Sequence, residues 1–114
     1  MTDWVITLPK TVEWEDYEKE LDLVKNWGHV MNYRVARYPL DLKHGDRCFL
    51  VWRGMVRGWM QISGFFRYPE GFMCSTTQTQ WKAGNYIQRS GPFHWITPVE
   101  MRGFQGIRRM RITI

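Results

Sequence analysis

Residues 43–64, KHGDRCFLVWRGMVRGWMQISG, decide the fold of this chain. His44-Gly45-Asp46 punctuates the start, Arg47–Trp52 is a near-continuous apolar run, Arg53-Gly54 is a tight turn, and residues 55–62 run back. Two β-rich runs joined by a glycine-containing turn are the sequence form of a β-hairpin. Apolarity without alternation in the first run is that of a strand buried on both faces, which places the hairpin at the centre of a small barrel or sheet.

On the N-terminal side, Trp4, Val5, Ile6, Thr7 and Leu8 form a short β-rich run stopped by Pro9, a first strand tied into the sheet. A helix is predicted over residues 12–27. Thr11 is its capping side chain, Trp14, Tyr17, Leu21 and Val24 lie on one face, and Gly28 terminates it. Glu13, Glu15, Asp16 and Glu18 fall in the opening turns and Lys25 near the end, where each sign suits the helix dipole. The acidic cluster is thereby accounted for as helix chemistry rather than as catalytic carboxylates. Val30 to Val35 is extended again, and Tyr38-Pro39 breaks the chain before the hairpin.

On the C-terminal side, Tyr68-Pro69-Glu70-Gly71 is a turn, and residues 72–80, FMCSTTQTQ, are polar enough for an exposed strand or loop. A short strand is predicted over residues 85–88, a loop at Ser90-Gly91-Pro92, and a half-buried strand in Gly106-Ile107-Arg108-Arg109-Met110-Arg111-Ile112, with Arg109 and Arg111 on one face. There is no internal repeat, linker or low-complexity segment. The 114 residues are one α+β domain, 1–114, able to bury a single core without disulfides or metal.

Charge is divided unevenly. Residues 1–22 carry seven acids against two lysines, a net of −5, and residues 23–114 carry fourteen bases against four acids, a net of +10. Eleven of the sixteen bases are arginine, whose planar fork meets phosphates and guanine edges and stacks on bases. A basic body of this composition suits nucleic acid. Seven Trp, five Tyr and six Phe exceed what a core of this size needs, which leaves aromatics for stacking at a surface or pocket.

Several chemistries have no motif to carry them. The chain lacks a phosphate-binding Gly-Lys-Ser loop, a dinucleotide glycine fingerprint, a His-Glu-x-x-His pair and a Gly-x-Ser-x-Gly elbow. His29, His44 and His94 are isolated, and a triad drawn from Ser90, His94 and an acid has no support in spacing. Cys48 and Cys74 have no partner at metal-ligand spacing and are expected to be reduced packing residues. The expectation is a non-enzymatic cytoplasmic protein with no cofactor, metal or membrane partner.

Trp27-Gly28-His29-Val30-Met31-Asn32-Tyr33, followed ten residues later by Lys43-His44-Gly45-Asp46 and an apolar strand, resembles the EVE family of PUA-like domains. The opening Asp3-Trp4 and the Tyr68-Pro69 after the hairpin are similar too. The specific part covers residues 27–52 and the order of elements extends it to about residue 70. Past Glu70 the chain departs from the family's length and pattern, and the alternative is a compact relative such as an ASCH-like branch of the same superfamily.

The resemblance implies a PUA-like pseudo-barrel of mixed strands with one main N-terminal helix and short flanking helices, and a pocket that accepts a base, often a modified one, in DNA or RNA. The positions that match the family's motif are Trp27, Asn32 and Tyr33, the candidate ligand-binding residues: an aromatic stacks on a base and an amide pairs with its polar edge. Arg34, Arg89, Arg108, Arg109 and Arg111 are the candidate nucleic-acid contacts of an arginine-rich rim. The competing reading is a protein-interaction or structural domain with a basic surface and no base pocket.

Overall fold

A buried carboxylate locks the start of the central hairpin in the computed structural model, which describes residues 2–74 and 76–111. Asp46 is almost fully buried and accepts three hydrogen bonds, from the Thr2 amide at 3.0 Å, the Trp4 indole at 2.9 Å and the Lys43 amide at 3.0 Å. Burial works to raise its pKa, but these bonds outweigh it and hold the carboxyl below its ordinary range. One side chain thus ties the turn before the hairpin to the first strand.

Six strands form one curled, half-barrel sheet with one helix against it, and the expected short flanking helices are absent among the described residues. In chain order the elements are β1 (Asp3–Thr7), α1 (Trp14–Trp27), β2 (Met31–Val35), β3 (Arg47–Trp52), β4 (Met55–Tyr68), β5 (Phe72–Met73), β6 (Gln80–Trp81), β7 (Gly84–Glu100) and β8 (Ile107–Arg109). The sheet order is β2-β7-β4-β3-β1-β8, with β5 and β6 paired separately. β3 runs parallel to β1 and antiparallel to β4, and its four middle residues are buried, as its unbroken apolar run predicts.

The helix begins at Trp14 rather than at residue 12, and no side chain caps it. Residues 9–12 close a turn instead, with the Val12 amide donating to Pro9 O at 3.0 Å, while the Trp52 indole takes the Val12 carbonyl at 3.1 Å. That carbonyl is committed to the sheet, and Thr11 is left outside the first turn. The C-terminus behaves as expected: Gly28 adopts φ 69°, a left-handed geometry that suits glycine. Tyr17, Leu21 and Val24, at helical spacing, bury against Met31, Cys48, Leu50, Met60, Ile62 and Ile87 of the sheet. On the opposite face Val5, Phe49, Val51 and Val56 form a second core, covered by Ile96, Val99, Met101, Phe104 and Met110.

Two strands are longer than predicted. β4 continues past residue 62 to Tyr68 because β7 pairs with it as far as Gly84. β7 passes straight through Ser90-Gly91-Pro92, where a loop was expected. Beyond Arg89 it has lost β2 as a neighbour and pairs with β4 alone, so Pro92 occupies an edge where its missing N–H is harmless. Between the pairs Gln61↔Ser90 and Trp59↔His94, Met60 alone faces Gly91, Pro92 and Phe93, a three-against-one bulge with Gly91 at φ 77°. His94 is therefore a strand residue rather than a loop residue.

The polar stretch 72–80 is a small β5–β6 hairpin whose Cys74 and Thr76 are buried, with the Thr76 hydroxyl donating to Glu20 at 2.7 Å. Ser75 within it, and Ile112 at the end of the predicted last strand, lie outside the described residues.

Candidate nucleic-acid interface

The last strand places its arginines at the open edge of the sheet. β8 pairs antiparallel with β1, setting Arg108 beside Val5 and Arg109 beside Trp4. Alternation sends the two guanidinium groups to opposite faces. Arg108 lies over the Phe104 ring at 4.4 Å, and Arg109 lies over the Trp4 ring at 5.4 Å and pairs with the Asp41 carboxylate.

A groove of about 700 Å³ opens here, lined by Arg102, Arg108, Arg109 and Arg111 around Met101 and Phe104, with no acidic residue among its walls. Backbone bonds hold these walls: Met101 N–H donates to Gly54 O at 2.9 Å, Phe104 N–H to the Thr7 hydroxyl at 3.1 Å, and Met110 N–H to Asp3 O at 2.8 Å. The arginine side chains beside Phe104 can bind phosphate and stack on a base, while the Arg109 guanidinium is engaged by Asp41 on the other face. Arg108, Arg109 and Arg111 were legible in the sequence as a basic alternating strand. Arg102 and Phe104 were not, because residues 101–104 carry no strand or helix pattern and reach the groove only through tertiary bonds.

The other candidates do not gather in one place. Trp27 ends the helix with 75 % of its surface exposed. Asn32 and Tyr33 are adjacent on β2, so their side chains leave opposite faces of the sheet. Asn32, 8 % exposed, turns toward Cys74, its amide nitrogen 3.9 Å from the sulfur and its Oδ1 without a partner. Tyr33 turns the other way and donates to Thr7 O at 3.4 Å. These three side chains do not line a common pocket.

Neither a protein-family model, nor a curated protein, nor a solved structure matches the chain.

Arg34 is exposed on β2, at the other end of the strand order from β8, and bounds a separate shallow concavity with Gly84 and Asn85. Arg89 is 2 % exposed beneath the helix and donates to the Tyr17 hydroxyl at 2.9 Å. Burial opposes its charge, but attraction to Tyr17, Cys48 and Tyr33 outweighs that and keeps the guanidinium protonated. Sealed in the core, it is withdrawn from any phosphate at the surface, which removes it from the rim predicted from sequence. The sequence pattern around it, Tyr86-Ile87-Gln88-Arg89, does not distinguish a buried arginine from an exposed one.

Among the described residues no cluster of His, Cys, Asp or Glu is placed to hold a metal ion, and no helix is long and apolar enough to cross a membrane. Cys48 is buried and its thiol is pushed up to about 11 by that burial, so it is not poised as a nucleophile at neutral pH.

Proposed function

We propose that this protein is a non-enzymatic binding module for nucleic acid, a compact PUA-like domain related to the EVE type, whose phosphate contacts come from the groove at β8. The observation that carries the proposal is the gathering of Arg102, Arg108 and Arg111 beside Phe104 with no carboxylate in the walls. Such a site attracts a polyanion and offers the Arg108 guanidinium, laid over Phe104, as a plane for stacking, which an unpatterned basic surface does not. The resemblance of residues 27–52 to EVE domains supports the same partner and adds a base, including a modified one, as the unit recognised.

The test is binding of fluorescein-labelled single-stranded oligonucleotides, read by anisotropy across a salt series. Affinity should fall steeply with salt, and Ala at Arg102, Arg108 and Arg111 together should weaken binding to all sequences and lower the log–log salt slope by roughly 2. Arg109 is left intact because Asp41 already engages it. Absence of binding at low salt, or a slope indifferent to the three substitutions, overturns the proposal and leaves the groove to an acidic protein segment.

A further inference from the structure

A second cleft, of about 230 Å³, lies at the β7 bulge and is bounded by Arg47, Trp59, Gln61, Ser90 and His94 with the bare backbone of Gly91. The His94 ring stacks on Trp59 at 4.0 Å with the planes 17° apart, and His94 is exposed. The Arg47 guanidinium lies 5.3 Å from the Trp59 ring and is fixed by a bidentate bond to Asp3, Nε to Oδ1 at 2.8 Å. That bond, then burial acting the other way, leaves the Arg47 pKa raised. Gln61 is exposed and presents an amide at the rim.

The bulge builds this cleft. Gly58 lets the bulged strand come close, since a Cβ there would stand 2.3 Å from His94 O and 2.5 Å from the Phe93 ring. Three β7 residues opposite Met60 displace the strand outward and bring His94 back over Trp59.

Strand register places the cleft and the arginine groove on the same face of the sheet. His94 pairs with Trp59, Trp59 with Phe49, Phe49 with Val5, and Val5 with Arg108, so these five residues form one row across one face of the sheet. Paired residues share a face, and four interstrand steps span roughly 19 Å. Val5 and Phe49 in the middle of the row are buried under Met101, Phe104 and Met110, so the row fixes the spacing of two surface sites, and Arg47, 5.2 Å from Phe49 and 5.3 Å from Trp59, belongs to the cleft end. No acidic residue lines either cavity.

We infer that the Trp59–His94 cleft is a base subsite for single-stranded nucleic acid that runs from the β8 groove over the residues covering Val5 and Phe49, its phosphates in that groove and one base against His94, with Gln61 and Ser90 facing the base edge. The inference rests on the nucleic-acid reading above and names where the base goes. A duplex would keep its bases stacked inside, whereas a single strand can turn one into a cleft of this size.

The experiment uses the intact chain with an oligothymidylate, an oligouridylate and an abasic strand of the same length, by anisotropy. His94→Ala and Gln61→Ala sit at exposed positions, and melting curves establish that each variant folds. His94→Ala should lose roughly tenfold in affinity for the base-bearing strands and leave the abasic strand unchanged. Substitution of the groove arginines should weaken all three. An iodouracil-substituted strand, irradiated on the parent protein and mapped by mass spectrometry, should attach at Trp59 or His94. If the parent binds the strands but His94→Ala binds them as well and the cross-link maps elsewhere, the base subsite is wrong and the groove stands. If the parent binds none of them, both fall together.

Discussion

Arg89 and Arg108 sit on opposite faces of one sheet, and the same side chain does different work on each. Arg89 shares the helix-side face with Ile62 and Met31, is sealed beneath Tyr17, and has no carboxylate partner among the described residues. Arg108 shares the other face with Val5, stacks on Phe104 and opens into a groove. A guanidinium in the core must be held by hydrogen bonds and packing at the cost of its hydration, while one at the rim keeps its hydration and remains free to meet an anion. Stability should therefore follow the first face and ligand binding the second.

The largest effect is expected at Arg89. Arg89→Ala removes a long buried stem, leaves a cavity and strands the Tyr17 hydroxyl, and should cost roughly 3 kcal/mol in urea unfolding. Arg89→Met fills most of the space without a charge to desolvate and should stay within about 1 kcal/mol of the parent, with Tyr17→Phe added recovering part of that. Oligonucleotide affinity of the folded Arg89→Met protein should equal the parent's. A methionine as damaging as alanine would mean that the charge itself organises this face, and the contrast between the two arginines would break.

Asp46 sharpens the comparison from the side of the acids. Its folded pKa lies below the unfolded value, so the stability it contributes is fully present above the unfolded carboxylate pKa and is lost as pH falls through the folded one. Asp46→Asn should cost roughly 2 kcal/mol at neutral pH, because a neutral amide replaces a charged acceptor of three bonds. The gap between parent and variant should narrow on acidification, with the parent losing stability below about pH 4. Asp3→Asn, at a half-exposed pair with Arg47, should cost less than about 1 kcal/mol. A gap that holds constant down to low pH would show that the side chain's shape, rather than its charge, locks the hairpin.

The same contrast explains what the sequence could disclose. Arg47–Trp52 as a buried central strand, the helical spacing of Tyr17, Leu21 and Val24, and the Gly28 terminus are local patterns, and each appears where the pattern put it. The length of β7 was hidden because Gly91-Pro92 has the local chemistry of a loop, and only the loss of β2 as a neighbour makes that chemistry acceptable in a strand. The Trp59–His94 stack was hidden for a related reason: thirty-five positions separate the two rings, and a bulge in the register brings them together. Arg89 and Arg108 look alike in sequence because both lie among β-rich residues, and the partner strand and the helix above decide which one is buried.

Trp27 and Asn32 provide the smallest expected effect and the clearest reversal of what residue size alone would suggest. Trp27→Ala deletes the larger side chain, yet 75 % of that surface already faces solvent, so the stability change should stay within about 0.5 kcal/mol. Asn32→Ala deletes a small one, but its amide is buried against Cys74 on the strand that pairs with β7, and a cost near 1 kcal/mol is expected. In binding, Trp27→Ala should leave affinity for oligothymidylate within about twofold while His94→Ala loses roughly tenfold, since only the second ring bounds the cleft on the face of the arginine groove. A folded Trp27→Ala protein that loses as much affinity as His94→Ala would place the base at the helix end instead, and the division of labour between the two faces would have to be redrawn around that tryptophan.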